Sequence, residues 1–470
     1  MAFMRRGLRQ SSIGLLIVVL ALVSAPGASG TSHLLPCVGG GIKTLQDAGN
    51  SSGTVLVTWQ EVREGPDETC ASSVAEAAIG SPATGFAESP ISKPGVLARP
   101  TGVFLDHAGD GWIVGTQEKL TAFTRYGPIY RNSGAWLDFR PPGGAFRAPI
   151  ALPAAHSDVE PFIVGDGAGT VLLGWNVAGR GAYLQWGDRT GGLSRPHFFR
   201  RLSISSLGID DRGEALIAGQ RTGGGKRAAD VLISGRARGF SRPRLLARAP
   251  RTPPRQLVPS FVTPPLVRVG PEGQALVMWQ LNPDPGPDED TRMLVYRSPT
   301  GRLAKPIRYP YFRLPESENP GELETAAIDA DGRAAFLVTE DFSAYLNTLT
   351  PDGHIDRLHQ PLTPGKDLSF GFDETLAANA AGEFVAAWSR AGSIEYTQGR
   401  EPTALPAAQT ISTRRGAIDV GPLVTISQSG EATAVWERLL SLRPPEQAIE
   451  VQTLTAGATP VQIALHQPRR

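Results

Sequence analysis

Five stretches of the chain repeat one short pattern: GTVLVTW at residues 53–59, GTVLLGW at 169–175, GQALVMW at 273–279, GEFVAAW at 382–388 and GEATAVW at 430–436. Each begins with a glycine that closes a polar turn and continues as an apolar run. Each ends in a tryptophan six residues after the glycine, at Trp59, Trp175, Trp279, Trp388 and Trp436. This column holds five of the eight tryptophans of the chain, so the sequence contains an internal repeat.

The repeat extends over most of the 470 residues. Its units are anchored at Gly53, Gly111, Gly169, Gly213, Gly273, Gly332, Gly382 and Gly430, with spacings of 58, 58, 44, 60, 59, 50 and 48 residues. Three units carry Gln117, Gly219 or Val338 at the tryptophan position. The second unit, with Trp112, is out of register by one or two residues.

Each unit reads as a series of four strands. In the fifth unit the strands are predicted at 266–269, 275–280 and 293–297 and around Ile307, separated by turns rich in Gly, Pro and Asp. The strand that ends in tryptophan is apolar on both faces, so both faces must be covered. The sequence therefore predicts an all-β fold, a β-propeller of seven or eight four-stranded antiparallel blades with the five tryptophans packed between neighbouring blades.

Two other architectures are compatible with a β-rich repeat. A row of β-sandwiches would show alternating polar and apolar residues, and an extended solenoid would need polar caps at both ends. A Pro- and Arg-rich stretch at 241–265 could also be a linker that separates four units from four. The repeat continues through that stretch at a spacing of 60 residues, which favours a single propeller domain over residues 31–470.

The first 30 residues have the features of a secretory signal peptide. Arg5, Arg6 and Arg9 precede an apolar run at 13–23 and a small-residue exit at 28–30. An uncleaved anchor is the alternative, although the run is shorter than the roughly 20 residues of a membrane span. No later segment resembles a span, so we expect a secreted or cell-envelope protein with no membrane span after signal removal. In that compartment Cys37 and Cys70, the only two cysteines, are expected to form a disulfide bond.

The overall charge of the chain argues against nucleic acid as a partner. The chain has 46 basic and 45 acidic residues, a net charge of +1, which gives no overall electrostatic attraction for nucleic acid. Arginine outnumbers lysine 40 to 6, and we interpret this excess as a coding bias that acts evenly along the chain.

Several short motifs suggest chemistry but fit turns better. The run at 49–53 matches G-x-S-x-G, yet a strand follows it where a nucleophile elbow requires a helix. Asp329 and Asp331, and more loosely Asp106 and Asp110, begin like calcium loops, and an acidic loop spans 282–290. Calcium needs further oxygen ligands at set positions, whereas Asp and Asn stabilise such turns unaided. No metal and no cofactor is predicted.

These residues resemble a known family, the exported tandem-repeat propeller proteins of high-GC bacteria. Its units run Asp-x-x-Gly, an apolar strand closed by Trp, a second hairpin and a Gly-Phe-Ser-Pro finish, which here is Gly239, Phe240, Ser241 and Pro243. The resemblance covers about residues 40–466. It implies the fold and carries no assigned activity, and the WD-repeat, kelch and sialidase signatures are missing.

One long loop in the second unit is the candidate binding segment. It combines aromatic residues with arginines, a pairing that suits sugar or peptide surfaces, at Arg125, Tyr126, Tyr130, Arg131 and Trp136. We therefore expect a monomeric, non-enzymatic binding or scaffolding module for an extracellular or cell-envelope protein or glycan. The alternative is a propeller-type glycoside hydrolase or lyase acting on extracellular polysaccharide, which three or more Asp, Glu, Tyr or Arg side chains at the channel mouth would favour.

Overall fold

A computed structural model describes part of the chain, and these described residues belong to one compact unit. They are 41–63, 72–91, 97–124, 127–153, 161–221, 229–237, 239–248, 261–262, 264–282, 291–309, 323–340, 343–362, 374–412, 417–442, 445–454 and 460–466. The predicted signal peptide at 1–30 and both Cys37 and Cys70 lie outside the described residues. Export and the disulfide bond therefore stay predictions.

The described residues form eight antiparallel sheets arranged as the blades of a β-propeller. The predicted all-β propeller is thus confirmed, with eight blades. Each blade is built from consecutive strands, and one 3-10 turn at Pro402–Ala404 is the helical element within the described ranges.

The strands of the first four blades are as follows. Blade 1 has β1 (Gly41–Gly49), β2 (Val55–Arg63), β3 (Ser72–Ser81) and β4 (Gly85–Pro90). Blade 2 has β5 (Leu97–Leu105), β6 (Gly111–Thr124), β7 (Gly127–Arg140) and β8 (Ile150–Ala151). Blade 3 has β9 (Pro161–Gly165), β10 (Val171–Val177), β11 (Gly181–Gly187) and β12 (His197–Arg200). Blade 4 has β13 (Leu202–Ile209), β14 (Ala215–Arg221), β15 (Ala229–Arg236), β16 (Gly239–Phe240) and β17 (Arg244–Arg248).

The other four blades repeat this arrangement. Blade 5 has β18 (Phe261–Val262), β19 (Leu266–Val269), β20 (Ala275–Asn282), β21 (Thr291–Arg297) and β22 (Ile307–Tyr309). Blade 6 has β23 (Leu323–Ile328), β24 (Ala334–Glu340), β25 (Ser343–Leu349) and β26 (Ile355–Pro361). Blade 7 has β27 (Glu374–Ala378), β28 (Phe384–Arg390), β29 (Ser393–Gly399) and β30 (Gln409–Thr410). Blade 8 has β31 (Ile418–Ile426), β32 (Ala432–Leu442), β33 (Pro445–Thr453) and β34 (Val461–His466).

A tight turn joins the first strand of each blade to the next strand and contains the repeated glycine. That glycine has a positive φ in all eight turns, where a side chain would be strained. Its N–H donates to the carbonyl three residues earlier, as from Gly169 to Asp166 at 3.1 Å. In blade 2 the turn glycine is Gly109, with φ +90°, whereas Gly111, the anchor chosen from the sequence, begins β6.

The hydrophobic core is divided among the spaces between the blades. Eight clusters of buried side chains each combine residues of two neighbouring blades. The five repeated tryptophans lie in five of these clusters and are at most 4 % exposed. One cluster joins blades 4 and 5 through Leu216, Ala218, Val277 and Trp279, on either side of the stretch considered as a linker.

The ring closes by side-chain packing between the first and last blades. Val55, Val57 and Trp59 of blade 1 share a cluster with Val435 and Ile449 of blade 8. Within the described residues, each of these two sheets consists only of strands from its own end of the chain. The closing interface therefore combines this hydrophobic cluster with a backbone hydrogen bond between the turns of the two blades, and among the described residues it has no shared strand pairing.

Strand order places the connections at two opposite faces. The first strands of successive blades contact one another around the ring and form its inner wall, so the fourth strands form the outer edge. Because neighbouring strands are antiparallel, the turns after first and third strands lie at one face, called the turn face. The connections after second and fourth strands lie at the opposite face, called the loop face.

Candidate binding site

The segment predicted as a long binding loop is mostly a hairpin. Strands β6 and β7 pair as far as Thr124 and Gly127. Arg125 and Tyr126 lie outside the described residues. Tyr130 and Arg131 lie within strand β7.

Trp136 of the same segment is a core residue. It is 3 % exposed, packs between blades 1 and 2, and donates its indole N–H to the carbonyl of Thr116 at 3.1 Å. A ring buried in this way is not available to a ligand, so the structure removes Trp136 from the predicted binding surface. The two strands pair over their full length, which explains why the segment is not a loop.

Charge is unevenly distributed around the ring. Residues 161–248, which form blades 3 and 4, contain 14 basic and 6 acidic residues, a net charge of +8. The rest of the chain contains 32 basic and 39 acidic residues, a net charge of −7. The arginine excess is therefore not spread evenly, contrary to the sequence-based interpretation, and a near-neutral total conceals a basic region.

Aromatic side chains line the outer edge of the junction between blades 3 and 4. The ring of Phe240, on β16, lies 5.9 Å from Trp186, 5.5 Å from His197 and 5.7 Å from Phe199, centroid to centroid. His197 and Phe199 are also 4.6 Å apart. We call Trp186, His197, Phe199 and Phe240 the aromatic rim.

Part of this region is exposed. His197 is exposed, and Phe198, 37 % exposed on the other face of β12, has its ring centroid 4.7 Å from that of Tyr183 in a tilted arrangement. Leu245 of β17 is 48 % exposed and pairs with Val231, a member of the core shared by blades 3 and 4. Opposed residues of an antiparallel pair lie on the same face, so Leu245 lies on the face of blade 4 that turns towards blade 3.

A Ser-Arg-Pro sequence precedes the outer strand in both blade 3 and blade 4, and it gives the two blades the same local structure beside the rim. In blade 3 the hydroxyl of Ser194 accepts the N–H of Trp186 at 3.0 Å, and in blade 4 Ser241 accepts that of Ser234 at 3.0 Å. The next residues, Arg195 and Arg242, are exposed at equivalent positions beside the rim. Each proline follows where the backbone no longer needs an N–H donor.

Five exposed arginines meet at the loop face of the same two blades, and we call them the arginine corner: Arg180, Arg200, Arg201, Arg221 and Arg248. Register brings them together. Arg200 pairs with Gly181, next to Arg180, and the N–H of Arg201 donates to the carbonyl of Arg180 at 2.9 Å. In blade 4, Leu202 pairs with Arg221, and Arg248 pairs with Ala229 at the same end of the sheet.

A second candidate site is a cavity of about 360 Å³ against the first strands of blades 1, 7 and 8. It is lined by Leu45, Glu374, residues 420–423 and Glu437. Two of these seven side chains are ionisable. The neighbouring Asp419, Arg438 and Glu450 are each at most 2 % exposed and are bonded to one another, so they do not face the cavity.

The G-x-S-x-G run and the Asp329 motif act as turns, and all but the first residue of the acidic loop at 282–290 lies outside the described residues. Asn50, within the G-x-S-x-G run, accepts the N–H groups of Ser52 and Thr54, both at 3.1 Å, and β2 follows. Asp329 accepts the N–H of Arg333 at 2.9 Å and its Nε at 2.7 Å. The described residues contain no group of three or more His, Cys, Asp or Glu arranged to hold a metal ion.

No helix within the described ranges has the length and hydrophobicity needed to cross a membrane.

Comparisons with known proteins find only distant structural similarity. No family model matches the chain, and no curated protein matches it. Among solved structures, an ulvan lyase from a new family of polysaccharide lyases is 8 % identical with a TM-score of 0.46, covering 76 % of this chain and 93 % of its own. The propeller domain of the Trilobed protease from Pyrococcus furiosus is 9 % identical, with a TM-score of 0.43 and coverages of 80 % and 98 %. A puromycin hydrolase is 17 % identical, with a TM-score of 0.48 and coverages of 79 % and 54 %.

The sequence reasoning missed the aromatic rim and the arginine corner. The sequence does contain one indication of the arginine corner, the local excess of arginine over residues 161–248, which is detected when arginines are counted for each repeat unit. The meeting of residues as distant as Arg180 and Arg248 depends on strand register. That information is not present in any local motif.

Proposed function

We propose that the protein is a secreted or cell-envelope, non-enzymatic binding module whose ligand is a glycan. The observation that supports this function is the aromatic rim together with exposed Leu245 at the junction of blades 3 and 4. Contiguous exposed apolar surface on a soluble protein marks an interaction site. The exposed ring of His197 and the half-buried rings of Phe199 and Phe240 provide stacking faces for sugars, and the neighbouring arginines provide donors for hydroxyl and carboxylate oxygens.

The rigidity of the blades supports a binding role. The rim residues lie on strands or next to them, and the rings pack against one another and against buried Trp186. Side chains held by packing lose little conformational entropy when a ligand binds. A binding surface of this kind needs no movement of the backbone.

The second candidate function is a glycoside hydrolase or lyase acting at the central cavity. Glu374 and Glu437 favour it, since such enzymes use pairs of carboxyl groups. The other five lining residues are apolar or glycine. The cavity therefore has two ionisable side chains, fewer than the three expected at the channel mouth of an enzyme. The binding module is therefore the preferred proposal.

A glycan and peptide array probed with the full chain tests the proposal. We expect glycan binding that weakens by about tenfold, equivalent to about 1.4 kcal/mol, in the double variant His197→Ala, Leu245→Ala. Ile150→Ala is the matched control, because Ile150 is 46 % exposed on an outer strand of blade 2, outside the rim.

Three results contradict this function. Binding only to peptides, or equal binding by the double variant and the wild type, removes the rim as a glycan site. Shortening of a bound polysaccharide, measured as new chain ends, supports the enzyme instead, and Glu374→Gln then identifies the cavity as its site if that variant stops the shortening.

A further inference from the structure

We infer that the ligand is an acidic polysaccharide, carrying carboxylate or sulfate groups, which extends from the aromatic rim to the arginine corner. This inference rests on the proposed function and adds the chemical class of the glycan.

The arginine corner is unusually rich in exposed cations. No ion pair joins Arg180, Arg200, Arg201, Arg221 or Arg248 to a carboxylate within the described part of the chain. Two other exposed arginines of these blades do have carboxylate partners, Arg212 with Glu272 and Arg236 with Glu214. Like charges held together repel one another, so such a cluster is stabilised when an anion binds between them.

The backbone of Arg201, at the arginine corner, is strained. Its φ of +58° lies in the left-handed region, which costs a side chain about 1 kcal/mol and favours glycine or asparagine. The strained backbone positions Arg201 between Arg200 and the first residue of β13 and lets its N–H reach the carbonyl of Arg180. An arginine at a strained position is explained if its guanidinium binds a ligand.

A repeated basic position points to a polymer. Ser194, Ser241 and Ala304 are structurally equivalent, because the N–H of each donates to the third strand of its blade. Each is followed by an exposed basic residue and a proline, which gives Arg195, Arg242 and Lys305 on the outer edges of blades 3, 4 and 5. Cations at one position of successive blades suit a chain with anionic groups at intervals.

The kind of cation favours carboxylate or sulfate. Thirteen of the 14 basic residues in blades 3 and 4 are arginines, whose planar fork forms two parallel hydrogen bonds with such groups. The aromatic rim, which continues along β12 to Arg200, provides stacking for the sugar rings between them. Together they select for a charged glycan over a neutral one.

Binding to four immobilised probes tests the inference with the full chain: polygalacturonate, heparin, neutral dextran and single-stranded DNA. We expect binding to polygalacturonate or heparin, at least about tenfold weaker binding to dextran, and loss of the difference at high salt. The variant Arg200→Ala, Arg221→Ala should weaken binding to the charged probe about tenfold through lost charge-assisted bonds.

The control removes the same charge elsewhere. Arg357→Ala, Arg400→Ala also deletes two exposed arginines, on blades 6 and 7, and should leave affinity within about twofold of wild type. Arg201→Gly should weaken binding without lowering the melting temperature, since glycine relieves the positive φ. That combination separates a ligand contact from a structural role.

The possible failures are distinguishable. Equal affinity for dextran and the acidic polysaccharides overturns this inference while the glycan-binding function remains. Equal effects of the two double arginine variants overturn it as well, as does tighter binding to DNA than to either charged polysaccharide. If the wild-type protein binds none of the glycan probes, that result contradicts the proposed function itself.

Discussion

Asp138 and Asp230 are two of the carboxyl groups buried in the blades, and neither has an ion-pair partner among the described residues. Asp138 of β7 accepts the N–H of Phe139 at 2.7 Å, and Asp230 of β15 accepts the amide of Gln220 at 3.2 Å. Burial disfavours the charged form and raises the pKa of both groups to about 7. Both therefore bind a proton more tightly in the folded state than in the unfolded chain.

This pKa shift predicts that stability falls as the pH rises. The contribution of each group is fully present below about pH 4, the pKa of an unfolded aspartate, and is lost as the pH rises through about 7. Between pH 5.5 and 8.5 the loss is about 2 kcal/mol for each group. Thermal unfolding should show a lower melting temperature at pH 8.5, and Asp138→Asn, Asp230→Asn should reduce that difference.

Asp188 supplies the control for this measurement. Hydrogen bonds from Thr190 hold the pKa of its exposed carboxyl below the usual range, so its contribution is lost only as the pH falls through that pKa. Asp188→Asn should therefore leave the change between pH 5.5 and 8.5 unaltered. An unchanged pH dependence in the double variant contradicts the assignment.

At the scale of strands, a buried ionic network ties together three strands of blade 8. Arg438 of β32 donates to Asp419 of β31 at 2.6 and 2.9 Å, and its Nη1 lies 2.6 Å from Glu450 Oε2 on β33. Trp436 also donates to Asp419, at 3.2 Å. Trp436 belongs to the core shared by blades 7 and 8, so the network lies on the side of blade 8 that turns towards blade 7.

Truncation of Arg438 should be strongly destabilising. Arg438→Ala leaves two carboxyl groups buried without their cation, which costs about 3 to 5 kcal/mol and lowers the denaturant midpoint accordingly. Arg390 is the matched control, because it occupies the same position in blade 7, eight residues after the turn glycine. It is half-buried and lies 3.5 Å from Glu395, so Arg390→Ala should cost about 1 kcal/mol or less. Equal losses would show that the network adds nothing to blade 8.

At the scale of the whole molecule, the ring has one interface that differs in kind from the rest. Blades 3 and 4 are joined by a single residue, Arg201, between β12 and β13, so their shared core cannot separate far. Blades 8 and 1 are at opposite ends of the described chain and are held by a side-chain cluster. A covalent connection keeps the effective concentration of one blade high for its neighbour, and the closing pair lacks this advantage.

Matched isoleucine truncations test this difference. Ile449 at the closing interface and Ile233 between blades 3 and 4 are both fully buried, so each change to alanine should cost about 2 to 5 kcal/mol. Only Ile449→Ala should also open blades 1 and 8 locally, measured as faster hydrogen exchange in β2 and β33 with the other blades protected. Local opening of blades 3 and 4 by Ile233→Ala to the same extent contradicts this account.

Local features made most of the fold predictable. The turn glycines, the apolar runs and the repeated tryptophans lie within a few residues of one another, so their meaning could be read directly. Blade 2 shows the limit. Gly109 and Gly111 are both glycines, and the backbone angle alone distinguishes the turn residue from the first residue of β6. The hairpin around Tyr130 looked like a loop because its polar composition conceals the pairing of β6 with β7, which two register shifts interrupt.

The sequence alone determined the repeat unit, the strand pattern within it and the turns that separate the strands, because these depend on interactions between near neighbours in the chain. The tertiary structure decided that eight units form a closed ring, that Arg438 is buried in a network while Arg390 is not, and that Arg180 and Arg248 share one corner. The physical reason is that strand register and blade packing bring together residues whose separation along the chain carries no information about their separation in space.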